Sequence, residues 1–522
     1  MNPPWWQSTT TRRAFVSLAG AAAATAALAP VRSLGAHTRH PAFKDYPFQL
    51  GVASGDPAPD GFVIWTRLAP APLDGGGMSS ESLEVRWEVA EDEHFRNGLR
   101  RGTTIASAYW GHSVHVEVAG LKPDRWYWYR FFSGGEASPV GRSRTAPTAG
   151  AAGSPLRFAF ASCQHFETGL FTAYQHMLAD DVDLVVHLGD YIYEGPAVKD
   201  RVRIHRGPEI KTLEQYRNRY ALYKSDPALQ AMHAAAPWIV TWDDHEVDNN
   251  YAGAISEELK VGQIELLKRR ALTYRAYYEH MPLRRAQRPA GPALQLYRQL
   301  DWGRLARFLV LDTRQYRTDQ PCDDGNKPPC ADSLRPDATI LGNRQRDWLF
   351  KRSAAPGAQW NVLAQQVMMA RVDRKSGPEE AFSMDQWPGY EADRRRVLNH
   401  FHQAKVRNPV VLTGDIHTNW ANELDRTLDG SGPAPVGVEF VGTAISSGGD
   451  GTEKPTYLSS LLRENPFVKF HNAERGYVLC NASEAHWQTE YRTVDYVSRP
   501  GSPMRTRAKF VVEPGQSRLQ AG

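Results

Sequence analysis

The sequence predicts two domains, an N-terminal β-sandwich followed by an α/β layered domain, and three observations carry that prediction. From Tyr46 to about Arg144, short apolar and aromatic runs alternate with turn residues in an all-β pattern. After a loop rich in alanine, glycine and proline, Ala146 to Pro155, apolar strands alternate instead with amphipathic helical stretches. A chain of 522 residues is also long enough for more than one core. The expected boundaries are 45–145 for the sandwich and 155–500 for the layered domain, with residues 1–36 set aside as a leader.

The leader rests on Thr11-Arg12-Arg13-Ala14-Phe15-Val16, followed by a weakly apolar run from Leu18 to Ala29 and small residues near Gly35-Ala36. A run of about a dozen residues is too short for a hydrocarbon core that needs roughly 20. The paired arginines, with Phe15 two residues on, resemble a twin-arginine signal. The mature chain is therefore expected outside the cytoplasm, periplasmic or extracellular, delivered by the twin-arginine export machinery, with no transmembrane segment.

In the first domain the expected strands are Phe62–Arg67, Leu83–Val89, Ser113–Val118 and Trp126–Phe131. Their β-branched and aromatic residues, in places at period two, suit a half-buried pleated surface. Asp56-Pro57-Ala58-Pro59-Asp60-Gly61, Gly75-Gly76-Gly77 and Lys122-Pro123-Asp124 separate them as turns. This spacing suggests a small sandwich of fibronectin type. In the second domain the expected strands are Leu156–Ala161, Leu184–Leu188, Trp238–Trp242, Ala306–Leu311, Trp360–Ala364 and Val410–Thr413. Phe171–Ala179, Glu258–His280 and Asp393–Gln403 are expected helices.

Composition narrows the function. Hydrophobic residues at 41% and charged residues at 23% are those of a folded globule. A net charge of +4, from 62 basic against 58 acidic residues, with no lysine- or arginine-rich run, gives no ground for a nucleic-acid site. Four cysteines are too few for a disulfide scaffold, so each is read alone. Cys322 and Cys330 bracket a short polar loop, where an oxidising compartment favours a disulfide. Cys480 lies in an apolar strand and reads as core.

Chemistry is expected beyond the carboxyl ends of strands in an α/β sheet, and four polar clusters fall there. They are Phe160-Ala161-Ser162-Cys163-Gln164, Val186 to Glu194, Val240 to Asn250, and Val411 to Asn419. Together they offer a thiol, phenols, imidazoles, amides and carboxylates. Oxygen donors suit hard cations, and imidazole and thiolate suit softer transition metals. Asp415 and His417 converge if the chain is extended, because residues i and i+2 then share a face. Asp385-Gln386-Trp387-Pro388-Gly389-Tyr390 fits either a cleft wall or a solvent-exposed turn.

These clusters, with Leu311-Asp312-Thr313-Arg314-Gln315-Tyr316 and Arg475-Gly476-Tyr477, are similar to the PhoD-type alkaline phosphatase and phosphodiesterase family of the metallophosphoesterase class. The resemblance runs from the leader to near Arg499 and implies hydrolysis of phosphomonoesters and phosphodiesters, small phosphate esters being the substrates. It implies that Cys163, Asp190, Tyr193 and His417 ligate Fe3+, with Asp190 also bridging. It further implies that Asp244, Asp415 and one of Asn249 and Asn250, with Asn250 favoured, ligate Ca2+. Ordinary two-metal phosphoesterases carry Gly-His-x-His where this chain has Gly414-Asp415-Ile416-His417; a carboxylate in place of an imidazole favours a harder ion such as calcium. Grouped cations would neutralise the ester and make hydroxide available near neutral pH. His245, beside a ligand, is the expected proton donor to the leaving group; orienting a ligand carboxylate is its alternative role.

Two other functions stand beside this one: a phospholipase-D-like hydrolysis of phospholipid diesters, and a non-catalytic binding protein stabilised by its metals. The full ligand set argues against the second, since a structural site needs no open coordination position. The leader yields a direct test. Replacing Arg12 and Arg13 by lysine leaves precursor in the cell on immunoblots of cell and exported fractions, and normal export of that variant would remove the twin-arginine assignment.

Overall fold

Three strands carry the first half of the α/β region: Leu156–Ala161, Leu184–His187 and Pro237–Val240. They run parallel with Ala159 opposite Val185 and Val185 opposite Trp238. Nearly every residue is buried, as parallel strands covered on both faces require. The computed structural model describes residues 43–152, 154–427 and 434–522. The expected leader, with Arg12 and Arg13, lies outside the described residues.

A second parallel set is formed by Ala306–Val310, Trp360–Ala364, Pro409–Thr413 and Gly437–Val441. Antiparallel strands flank it, Arg298–Trp302 on one side and Asn419–Leu424 on the other. The two sheets are joined by one 15-residue strand, Val468–Ala482. Its early residues pair with Asn419–Asn422, and its later ones with Leu156–Phe160 and with Trp487–Val494. Phe158, Phe160, Val186 and Ile239 from one sheet share a core with Phe308, Trp360, Val362, Val410 and Phe440 from the other. Helices Leu213–Lys224, Pro227–Ala235 and Gln263–His280 pack with Trp238 and Val240, and Gly342–Ser353 and Glu391–Gln403 with Leu309, Leu363 and Val411. The result is a helix–sheet–sheet–helix sandwich.

Three of the N-terminal strands join the first α/β sheet. Val52–Ala58 pairs in parallel with the Pro237–Val240 strand, Ser54 opposite Pro237, and antiparallel with Gly61–Arg67, which pairs in turn with Ser113–Val118. These strands therefore extend the first α/β sheet into one large mixed sheet. A separate sheet of Arg100–Ala106, Leu83–Ala90, Trp126–Ser133 and Gly141–Arg144 supplies a facing layer. Phe62, Ile64 and Val116 share its core with Val85, Val89, Tyr129 and Phe131. Gly55 permits the close approach, since a Cβ there would meet the Pro282 and Trp238 carbonyl oxygens at 2.6 and 2.7 Å. Asp56 bound by Arg298 at 2.7 Å and the Trp65 indole donating to the Glu279 carbonyl at 3.0 Å fasten the same seam.

The expected helix from Glu258 begins at Gln263, because Gly262 is extended and Val261 closes a turn back on Glu258. No helix among the described residues is long and apolar enough to cross a membrane.

Gly476 sits in the shared strand at φ +154°, where a Cβ would lie 1.9 Å from the Arg492 carbonyl oxygen. Backbone cannot yield as a flexible side chain does. Gly476→Ala is expected to destabilise the protein by about 3 kcal/mol, the upper end of overpacking costs. A lowered urea unfolding midpoint checks it.

Candidate metal centre

Loops at the carboxyl ends of both sheets meet in one place, and the backbone there is strained. Cys163, Asp190, Asn250, Asp415 and His417 all have positive φ, between 49° and 66°. Non-glycine residues hold such angles only where the surroundings over-determine them. Cys163 N–H donates to the Gly189 carbonyl and Gln164 N–H to the Asp190 carbonyl, each at 3.1 Å. Asp415 and His417 thus converge from left-handed turn positions, not from the extended chain that their spacing suggested.

Glu246 ties two of these loops together. Its carboxylate accepts from the backbone N–H groups of Asp190 at 3.2 Å, Tyr191 at 2.6 Å and Asp243 at 2.8 Å.

The ligand atoms of Cys163, Asp190 and His417 lie within 4.8 Å of one another, and so do those of Asp190, Asp244 and His245. Asp190 belongs to both groups. The Tyr193 hydroxyl donates to Asp190 Oδ2 at 2.9 Å and lies 3.2 Å from His417 Nε2. Ser447 Oγ is 2.7 Å from both the Tyr193 hydroxyl and the Cys163 carbonyl. The other oxygen of Asp190, Oδ1, is buried with no hydrogen-bond partner.

The remaining expected residues surround this pair of groups. His245 Nδ1 is 2.8 Å from Glu194 Oε2, and its ring lies 4.1 Å from that of Tyr193. Asp244 Oδ2 accepts from the Asn250 backbone N–H at 2.7 Å. Neither asparagine amide faces Asp244: that of Asn250 donates to Asp324 at 3.1 Å and that of Asn249 to Glu257 at 2.5 Å. Asp415 meets Asp244 through Arg314, whose Nη2 lies 3.6 Å from one and 3.8 Å from the other. Asp385 is buried rather than exposed and accepts from Arg314 and Arg317 at 2.7 and 2.6 Å. Cys322 and Cys330 form a disulfide in their loop, and Cys480 is buried in the shared strand.

Charge is poorly balanced here. Burial, reinforced by neighbouring carboxylates, pushes the Cys163 thiol, the Tyr193 phenol and the Asp190 carboxyl well above their usual ranges. Asp415 is raised to about 6, mainly by burial. Burial also opposes charge on Asp244, yet Arg314 and then His245 hold it below the ordinary range. His245 likewise overcomes burial: Glu194, Asp244 and Asp190 raise its pKa well above the ordinary value, so the ring keeps its proton. His417 is lowered to about 3 by burial and by Arg475, which leaves a neutral imidazole with a lone pair. Thiol, phenol, neutral imidazole and an unpartnered carboxylate oxygen form a donor set that fits a cation.

Arg314, Glu194, Glu246 and Ser447 carry no role in the sequence reading. The first three lie inside the quoted clusters, so their motifs gave the signal, but not which side chain faces inward. Ser447 had none.

Acidic and soft donors gathered at the strand ends of two facing sheets make a candidate metal centre in an α/β protein. The chain belongs to the PhoD-like phosphatase family: residues 158–491 match the PhoD-like phosphatase domain and residues 34–147 its N-terminal domain. It is 49% identical over 517 residues to alkaline phosphatase D of Bacillus subtilis (strain 168), covering 98% of this chain and 88% of that protein. The solved structure of PhoD superposes with a TM-score of 0.90 at 50% identity, over 92% of this chain and 93% of that one.

Glu246→Gln places an amide donor against backbone donors. It is expected to cost about 2 kcal/mol, as for leaving buried backbone donors unsatisfied, and to lower phosphomonoesterase activity more than stability. Urea unfolding and initial rates on one sample read both.

Proposed function

We propose that this chain is an exported, metal-dependent phosphoric ester hydrolase acting on phosphomonoesters and phosphodiesters at the Asp190 centre. Family membership supplies the reaction class. The observation that carries the site is Asp190, one carboxylate common to two groups of donor atoms, with an oxygen left unpartnered.

In this reading Cys163, Asp190, Tyr193 and His417 would hold Fe3+. Asp244, Asn250 and Asp415 would hold Ca2+, with Asp190 shared between the two sites. Asn250 is favoured over Asn249 because its own N–H is bound to Asp244. When bound, the cations supply positive charge to the ester oxygens and acidify a water. The protein's part is positional and protonic. Glu194 fixes His245 through Nδ1, which leaves Nε2–H to protonate the departing alkoxide. The N-terminal layers are read as a fibronectin-like sandwich without a catalytic residue. Export by the twin-arginine machinery to the periplasm or beyond is supported by Arg12-Arg13 and by a disulfide that suits an oxidising compartment. Folding before transport would let the centre load its metals in the cytoplasm.

The test is metal content, visible absorption and diester hydrolysis measured together on three variants. A thiolate and a phenolate on one ferric ion would both give charge-transfer absorption. Cys163→Ser is therefore expected to lose iron, colour and most activity while remaining folded, since only thiolate sulfur ligates. Tyr193→Phe is expected to lose the phenolate band. Cys322→Ser is expected to lower stability at most. Full iron, unchanged colour and normal turnover in Cys163→Ser would overturn the assignment of that residue.

A further inference from the structure

We infer that Arg314 is a positioning residue that sets the spacing of Asp244 and Asp415 and thereby the calcium affinity of the centre, an inference that rests on the proposed metal reading. Arg314 follows the Ala306–Val310 strand and is completely buried. Its Nε donates to Asp243 Oδ1 at 2.5 Å and its Nη1 to Asp385 Oδ1 at 2.7 Å. Nη2 has no hydrogen-bond partner, yet stands 3.6 Å from Asp415 and 3.8 Å from Asp244. The guanidinium is thus clamped by two aspartates outside the expected ligand set and presents its third nitrogen between two inside it.

The clamp is itself braced. Arg317 and Gln320 both donate to Asp385, and Gln320 also donates to the Asn250 carbonyl. The Arg314 carbonyl accepts from Gly253 N–H, which fixes the segment following Asn250. Asp243, Asp244, Asn250 and Asp415 come from loops of both sheets, and Arg314 with this bracing links them all.

Two effects of a buried cation oppose each other. Its charge repels a divalent ion, which weakens binding. Its planar fork, fixed by Asp243 and Asp385, places Nη2 at one point between Asp244 and Asp415 as an ion-pair partner of both. That keeps the two carboxylates facing one place and strengthens binding. The engagement of Nε and Nη1 by separate aspartates favours the second, because a charge alone needs no such clamp. Partners that orient a ligand without touching the metal typically change affinity by about 10- to 100-fold when removed.

The experiment is calcium titration by calorimetry into full-length, iron-loaded protein stripped of calcium with EGTA, with iron measured by elemental analysis. Arg314→Lys keeps the charge and loses the fork. Asp385→Asn keeps Arg314 and removes its outer anchor, and serves if Arg314→Lys does not fold. Each is expected to weaken calcium binding by about tenfold or more while retaining iron and colour. Wild-type calcium affinity in either folded variant, with at most a lower melting temperature, would overturn the inference and leave the metal reading standing. A wild-type protein that takes up no calcium would overturn both.

Discussion

Carboxylates crowded out of water are the constraint on which the rest of this molecule depends. Asp190, Asp243, Asp244 and Glu246 are all buried at one point, with Asp415 beside them. Taking each ion out of water costs several kcal/mol after relaxation unless charge or hydrogen bonds compensate. The compensation is spread across the fold: Arg314 from the second sheet, His245 from the first, and backbone N–H groups aimed at Glu246. A centre with that charge also draws in cations, so the feature that makes it costly to fold is the one that suits it to metal chemistry.

The two sheets exist to place those loops. Parallel strands in each sheet end on the same edge, so the loop after Ala161 faces the loop after Thr413 across the interior. Neither sheet carries a whole site. Asp190 and Cys163 belong to the first and His417 to the second, each at a left-handed turn position.

Much of this was legible before the fold was known. Leu156–Ala161, Trp360–Ala364 and Ser113–Val118 are continuous or alternating apolar runs bounded by turn residues, and their limits are those of the strands. The seam between Val52–Ala58 and Pro237–Val240 was hidden, because a parallel pairing of residues as far apart as Ser54 and Pro237 leaves no local pattern. At the site, residue types and strand-end positions pointed to the four polar clusters, and the family resemblance singled out Cys163, Asp190, Tyr193, Asp244 and His417 within them. Arg314 and Glu246 act through which way they point, and spacing does not encode direction. Ser447 lies in Ser446-Ser447-Gly448-Gly449, which as sequence is an ordinary turn.

The strand from Val468 to Ala482 bears on when the centre can exist. Arg475, within it, donates to the carbonyls of His417 and Ser447, adding to the bonds that Thr443 makes to His417 and that Ser447 makes to Cys163 and Tyr193. A chain emerging from the ribosome carries Cys163, Asp190 and Asp244 long before Arg475, the last residue to fasten His417. Until then it has the acids without the frame, a half-built basket of negative charge. The site is therefore finished in one late event near the end of synthesis, and a truncation short of Arg475 forfeits the centre even though it deletes none of the donors.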